Sequence, residues 1–141
     1  MSEESRAAVH KSFWLIGAFA LLWNGLGSVN YLMQMMTDSL EAYREVEQAI
    51  IADRPAWATA SFALAVWGGT IGGVLLLMRK AVVFQVFVAS FVGVVVTTAH
   101  TVSLGLDFGI GEIVVIVVMP VAVAAVLVWY AKRCMRKGWI S

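Results

Sequence analysis

Four long apolar runs dominate this chain and constrain what it can fold into. They are Phe13–Met36, Trp57–Met78, Ala81–Ser103 and Ile110–Tyr130. A helix needs about 20 apolar residues to cross about 30 Å of hydrocarbon, and each run is long enough. Because 61% of the residues are hydrophobic and only 13% are charged, a soluble fold of this length could not bury the apolar surface. The sequence therefore predicts an integral membrane protein with the lipid bilayer as its solvent.

Each span is predicted to be helical, although the third and fourth spans are rich in β-branched residues. A lone strand would leave its backbone N–H and C=O groups unpaired in lipid, so the membrane overrides strand propensity. The connections on both sides of the third span are short, which makes the spans they join antiparallel neighbours. We expect an all-α membrane protein, an up-down four-transmembrane-helix bundle, forming a single domain over residues 1–141.

The connection between the first two spans is longer and amphipathic. Over residues 38–53, apolar and acidic side chains fall on different helical faces, and Asp38 followed by Glu41 fits a capping box. Pro55 is suited to the first turn of the second span. We expect a short amphipathic helix that either packs over the mouth of the bundle or forms a solvated linker.

Lysine and arginine concentrate on one side of this topology. They precede the first span, join the second to the third and follow the fourth: Arg6, Lys11, Arg79, Lys80, Lys132, Arg133, Arg136 and Lys137. Cytoplasmic loops carry an excess of such residues. Both termini are therefore predicted to be cytoplasmic, with the 38–53 segment on the outer side.

Several function classes are disfavoured by composition and topology. No basic patch with interleaved aromatic residues indicates nucleic acid, and Cys134 alone cannot form a CxxC motif. His10 and His100 lie on opposite sides of the membrane, which excludes a two-histidine metal site. Only His100 and Glu112 could form an acid–base pair for catalysis. We therefore expect that the protein is not an enzyme and that it binds no cofactor.

The second span contains WGGTIGG, in which glycines recur at a spacing of four. Gly68 and Gly72 form one such pair, and Gly69 and Gly73 form the other. Small residues at this spacing let helix backbones approach closely. The stripe predicts tight packing against a neighbouring span or, in a homo-oligomer, against a second protomer.

The first and third spans carry the polar side chains that we take as a candidate binding site. Asn24, Tyr31 and Gln34 share one face of the first span, and Thr97 and His100 lie near the outer end of the third. Exposed amides are costly in lipid, so this face should turn inward. The alternatives are hydrogen bonds that only join the helices and a polar pocket, in which His100 could also take up a proton.

The fourth span contributes Glu112 at its start and Pro120 near its middle. Glu112 is a further candidate for the pocket, although a carboxylate in a first helical turn can simply complement the helix dipole. Pro120 should kink the helix or free the carbonyl about four residues earlier.

Four segments carry a resemblance to known proteins: LLWNGLGSVNYLMQ (residues 21–34), ADRPAW (52–57), GGTIGG (68–73) and RKGWI (136–140). Together they resemble a group of short four-span bacterial inner-membrane proteins, some of which are labelled "sugar transporter". The resemblance implies the topology, a bacterial inner membrane and, by name alone, transport. It implies no binding residues.

Polar side chains are concentrated in the outer half of the spans and become scarce toward the cytoplasm. This gradient predicts an outward-facing pocket that binds or transports a small polar solute. The alternative is a non-catalytic accessory or scaffold subunit of a larger membrane complex, in which the polar face only joins the helices.

Overall fold

The computed structural model describes residues 8–36, 40–52 and 54–141. In these ranges, four helices are long and apolar enough to cross a membrane. In chain order the helices are α1 (Lys11–Met36), α2 (Glu45–Ile51), α3 (Ala56–Leu77), α4 (Val83–Ser103) and α5 (Ile110–Arg136). The predicted all-α bundle of four membrane-spanning helices is confirmed, and α1, α3, α4 and α5 coincide with the predicted spans except at their ends.

Three pairings account for most of the contacts between the spanning helices. α3 packs against α1 and α4, and α4 packs in turn against α5. Large apolar side chains remain exposed on the outer surface, such as Leu15 at 72% and Val126 at 54%. Monomeric soluble proteins rarely expose large contiguous apolar patches, so this surface is suited to hydrocarbon rather than to water.

The glycine stripe of α3 is used inside the protomer. Its members face α1 and α4 alternately: Gly69 faces Asn24, Gly73 faces Leu21, Gly68 faces Ser90 and Gly72 faces Phe87. A Cβ on Gly73 would lie 3.0 Å from the Leu21 backbone, closer than ordinary van der Waals contact. The stripe thus permits close helix approach on both sides of α3. A homo-oligomer through these glycines stays a prediction.

One end of the bundle, which we call the tail end, holds the start of α1, the α3–α4 turn and the C-terminal residues. The turn passes through Arg79, whose φ of 60° is left-handed. The Arg79 Nε donates to the Trp139 carbonyl at 2.7 Å, and the Ala81 and Ser141 N–H groups donate to the Ser141 and Arg79 carbonyls at 3.1 Å. The C-terminal residues therefore satisfy the turn's polar groups and belong to the fold.

The buried core also lies at the tail end. Its members come from every spanning helix and from the C-terminus: Phe13, Ala20, Leu76, Val83, Phe87, Leu127, Tyr130, Ala131, Cys134 and Ile140. Lipid tails are as apolar as leucine, so close packing rather than escape from water stabilises this core. The helices are therefore packed together around this core at the tail end.

The fourth spanning helix is irregular ahead of its proline. Residues Val114–Val118 of α5 are wound as a π-helix, two residues before Pro120. Proline has no N–H for the Ile116 carbonyl, and its ring clashes with the carbonyl four residues earlier. Wider winding over a single turn relieves that clash. The disruption predicted at Pro120 thus takes the form of a π-helical segment.

The amphipathic helix predicted over residues 38–53 is shorter than expected. A 3-10 turn at Leu40–Ala42 precedes α2, which begins only at Glu45. The predicted cap, Asp38, lies outside the described residues. At the start of α2, Glu47 acts as the capping residue, because its carboxylate accepts a hydrogen bond from the Arg44 backbone N–H at 3.3 Å.

Candidate ligand-binding cavity

A cavity of about 420 Å³ lies between the spanning helices and extends from the edge of the buried core to the end of the bundle opposite the tail end. We call this end the α2 end. All four spanning helices and α2 contribute to the wall, and exposed Arg44 lines the rim, so the cavity reaches the surface there. Along α4 it extends from His100 to Phe87, which is roughly 20 Å at about 1.5 Å per residue. Ligand pockets commonly enclose about 300–1,000 Å³, so a small molecule fits.

The deep part of the cavity is apolar. Phe87 and Leu127 form its floor and belong to the buried core, while Val94, Ile116 and Val123 line the wall above them. The π-helical segment of α5 includes Ile116 and therefore shapes this wall. Such side chains offer no hydrogen-bond partner, so a hydroxyl placed against them would be left unsatisfied.

α2 covers part of the mouth of the cavity. Tyr43, just before α2, and Glu47 and Ile50 within it all line the cavity, so this segment borders the mouth. Arg44 Nη2 donates to Glu47 Oε1 at 2.9 Å. This hydrogen bond and the charge of Glu47 raise the pKa of Arg44. The carboxylate at the rim is therefore neutralised by the arginine beside it.

Arg54 places a second positive charge at the mouth. It precedes α3, where its Nε donates to Thr59 Oγ1 at 3.2 Å and its Nη2 donates to Gln34 Oε1 at 2.9 Å. Partial burial lowers the pKa of Arg54, and the nearby Tyr31 acts weakly in the opposite direction. In the described part of the chain, no carboxylate lies within ion-pair distance of this guanidinium.

Aromatic rings hold Arg54 in position. The guanidinium carbon lies 5.2 Å from the centre of the Phe62 ring, within the range of a cation–π interaction. The Phe62 ring also stacks on the Tyr31 ring, with 5.6 Å between the ring centroids. Tyr31 also meets Trp67 edge-on at 6.5 Å. The candidate residue Tyr31 therefore does not line the cavity but supports the residue on which Arg54 rests.

Of the other candidates on the first and third spans, Asn24, Gln34, Thr97 and His100 do line the cavity. Asn24 Nδ2 donates to the Ala20 carbonyl at 2.8 Å, and the Thr97 hydroxyl pairs with that of Ser61 at 3.0 Å. Thr97 thus combines both alternatives, since it contacts the cavity and joins α4 to α3, whereas the Asn24 hydrogen bond lies within α1.

His100 is buried at the mouth, with 7% of its surface exposed. Its ring meets Trp57 edge-on at 5.4 Å between centroids. Neither ring nitrogen has a hydrogen-bond partner among residues 8–36, 40–52 and 54–141, although the side chain borders the cavity. A ligand at the mouth can therefore use His100 as a donor or an acceptor.

Glu112 has a local role and does not line the cavity. Its Oε1 accepts a hydrogen bond from the Gly109 backbone N–H at 3.2 Å, which caps the start of α5. A carboxylate in this position also complements the positive end of the helix dipole. After Glu47, the charge of Glu112 is a further cause that raises the pKa of Arg44, so this carboxylate lies near the rim.

Sequence reasoning did not select Arg54 as a site residue. Because Arg54 directly precedes Pro55, it indicated only where the second span starts. Its positive charge was used only to predict the orientation of the spans. A usable signal was present, because cations are scarce on that side of the topology and Arg54 adjoins a span.

In comparisons with protein-family models, curated proteins and solved structures, nothing matches this chain.

Proposed function

We propose that this multi-pass membrane protein binds a small, partly polar solute in the cavity, as a binding protein or as part of a transport step. The observation that supports the proposal is the distribution of side chains around about 420 Å³ of space. Polar side chains gather at the α2 end, and apolar side chains close the cavity at the floor. Leu26 and Val115 also line the cavity and are 62% and 54% exposed, so it reaches the outer surface of the bundle beside α1 and α5 as well.

We further propose that the α2 end faces away from the cytoplasm. Basic residues of the described chain gather at the tail end, including Arg79, Lys80 and Arg133. Positive residues favour the cytoplasmic side of a membrane. With the resemblance noted above, this distribution supports a bacterial inner-membrane protein whose cavity opens outward.

A cavity-filling substitution tests solute binding. Val94 lines the cavity, whereas its neighbour Val95 is 44% exposed on the lipid side of α4. In lipid nanodiscs, a panel of sugars, amino acids, carboxylates and amines is screened for ligands that raise the unfolding temperature. We expect a stabilising ligand whose effect is lost in Val94→Phe and retained in Val95→Phe.

Two results would contradict the proposal. One is a stabilising ligand whose effect is the same in both variants, which would place binding elsewhere. The other is no stabilisation by any compound, together with stoichiometric co-purification of an unrelated membrane protein. That second result would favour an accessory subunit, in which the cavity is filled or covered in the complex.

A further inference from the structure

Building on the solute-binding function proposed above, we infer that the ligand is an amphiphilic anion. Its carboxylate or phosphate group binds Arg54, and its hydrocarbon tail occupies the apolar depth of the cavity between α4 and α5. The cavity alone supports binding of a solute. The negative charge of the ligand is inferred from Arg54 at the mouth of the cavity. Its hydrocarbon tail is inferred from the apolar side chains at the floor.

Arg54 has donors to spare for an acidic group. A guanidinium carries five N–H donors in a planar fork, and the protein uses one on Thr59 and one on Gln34. These two hydrogen bonds and the Phe62 ring fix the plane of the fork. A fixed fork suits two-point binding of a carboxylate or phosphate.

Within the residues that the structure describes, no carboxylate forms an ion pair with the Arg54 guanidinium. The rim carboxylate, Glu47, is paired with Arg44 at 2.9 Å, so it does not compensate Arg54. Glu112 is engaged at the start of α5. Partial burial removes water from the Arg54 guanidinium, and a cation in such a position is stabilised by an anionic partner. The carboxylate or phosphate of a ligand at the mouth would supply such a partner.

The depth of the cavity favours a hydrocarbon tail over a sugar. A sugar that reached below the mouth would place hydroxyls against Val94, Ile116 and Val123, where they would find no partner. Two polar side chains border this depth. Ser90 donates to the Ala65 carbonyl at 2.6 Å, and the Asn24 Nδ2 donates to the Ala20 carbonyl at 2.8 Å. The distance of roughly 20 Å from mouth to floor suits an extended chain.

The test measures the affinity of decanoate for the full chain in phosphatidylcholine nanodiscs by calorimetry, after subtraction of empty nanodiscs. Decanol is the neutral probe with the same tail. We expect decanoate to bind wild type more tightly than decanol does. Arg54→Gln should weaken decanoate binding about tenfold or more, and leave decanol binding unchanged, since a charged hydrogen bond is lost.

Arg54→Lys and Arg133→Gln complete the comparison. Lysine retains the positive charge but lacks the planar set of N–H donors of arginine. Arg54→Lys should therefore retain part of the affinity for decanoate. Arg133 lies at the tail end, with its guanidinium carbon 5.7 Å from the centre of the Trp129 ring. Its replacement changes the net charge equally, so Arg133→Gln should bind decanoate like wild type.

The two proposals fail in different ways. If decanoate binds Arg54→Gln as it binds wild type, and Val94→Phe abolishes binding, the anion inference is overturned and cavity binding stands. If neither variant affects decanoate binding, both proposals are overturned. Equal affinities of wild type for decanoate and decanol also overturn the anion inference, whether or not the Arg54 variants fold.

The same measurement in phosphatidylglycerol nanodiscs identifies the source of the anion. If the natural ligand is a membrane lipid, phosphatidylglycerol should compete with decanoate and co-purify with wild type but not with Arg54→Gln. If the natural ligand is a free amphiphile, the affinity for decanoate should be the same in both lipids. In both lipids, recognition of the acidic group itself is decided by the comparison of wild type with Arg54→Gln.

Discussion

The two ends of the bundle use similar spanning helices in opposite ways. At the tail end, Phe13, Leu76 and Cys134 are fully buried, and Ile140 of the C-terminus completes the core. At the α2 end, the same four helices enclose a cavity bordered by Arg54 and His100. The tail end contains the buried core, and the α2 end has a cavity between the helices with polar groups at its mouth.

This difference shows how a short membrane protein can combine a stable bundle with an open cavity. In lipid, the stability of a bundle depends on close packing and on hydrogen bonds between helices. Here the tail end and the glycine contacts of α3 supply the close packing. The α2 end can therefore keep an open cavity, and substitutions at the two ends should have different energetic costs.

The largest effect is expected at Phe87, where the two regions meet. Its side chain is 2% exposed, lies against Gly72 and forms part of the cavity floor. Phe87→Ala should lower the free energy of unfolding by about 3 kcal/mol or more, because it removes a large packed side chain and enlarges the cavity. Reversible unfolding in mixed micelles, with increasing sodium dodecyl sulfate, measures the change.

Val88→Ala is the matched control, since Val88 is 36% exposed to the surroundings of the bundle. It should change the free energy of unfolding by less than about 0.5 kcal/mol. Equal losses in the two variants would show that the floor is not a packed boundary between the regions.

A smaller effect is expected at Ile140, which closes the tail end. Ile140 is 3% exposed in the core, whereas Met135 nearby is 40% exposed. Ile140→Ala should cost about 2 kcal/mol, near the lower limit for such substitutions, because a chain terminus can move to fill the gap. Thermal unfolding followed by circular dichroism should show a lower midpoint for Ile140→Ala than for Met135→Ala. A midpoint equal to that of wild type would contradict a structural role for the C-terminus.

The smallest effect distinguishes two adjacent threonines at the α2 end. The Thr97 hydroxyl pairs with the Ser61 hydroxyl at 3.0 Å, whereas the Thr98 hydroxyl borders the cavity without a hydrogen bond to any described residue. Thr97→Val should cost about 0.6 kcal/mol, the average for hydrogen bonds between membrane helices. Thr98→Val should leave the free energy of unfolding unchanged, as measured by the same micelle titration. If Thr98→Val lowered the free energy of unfolding more than Thr97→Val does, the side chains of the cavity wall would themselves contribute to the packing of the bundle.

The candidate site was only partly predictable, for reasons that particular residues make clear. Gln34 and His100 were selected because amides and imidazoles avoid lipid, and both line the cavity. Tyr31 was selected for the same reason, but an aromatic ring can also bury itself against Phe62 and Trp67. Arg54 was not selected, because the sequence does not show which way a side chain turns just outside a span.

The sequence by itself determined the membrane spans, their helical state and their order. Each apolar run matches the thickness of a bilayer, and backbone groups in lipid must be paired within the same helix. These rules act on one segment at a time, so they can be read along the chain. The sequence likewise determined that Pro120 would disturb α5.

Only the tertiary structure decided where space remains and which groups face it. That outcome depends on the rotation of each helix about its axis and on close contacts such as Gly73 against Leu21. It depends also on the seating of α2 over the mouth and of Arg54 between Gln34 and Phe62. Such contacts join residues far apart in the chain, and periodicity within one span carries no information about them.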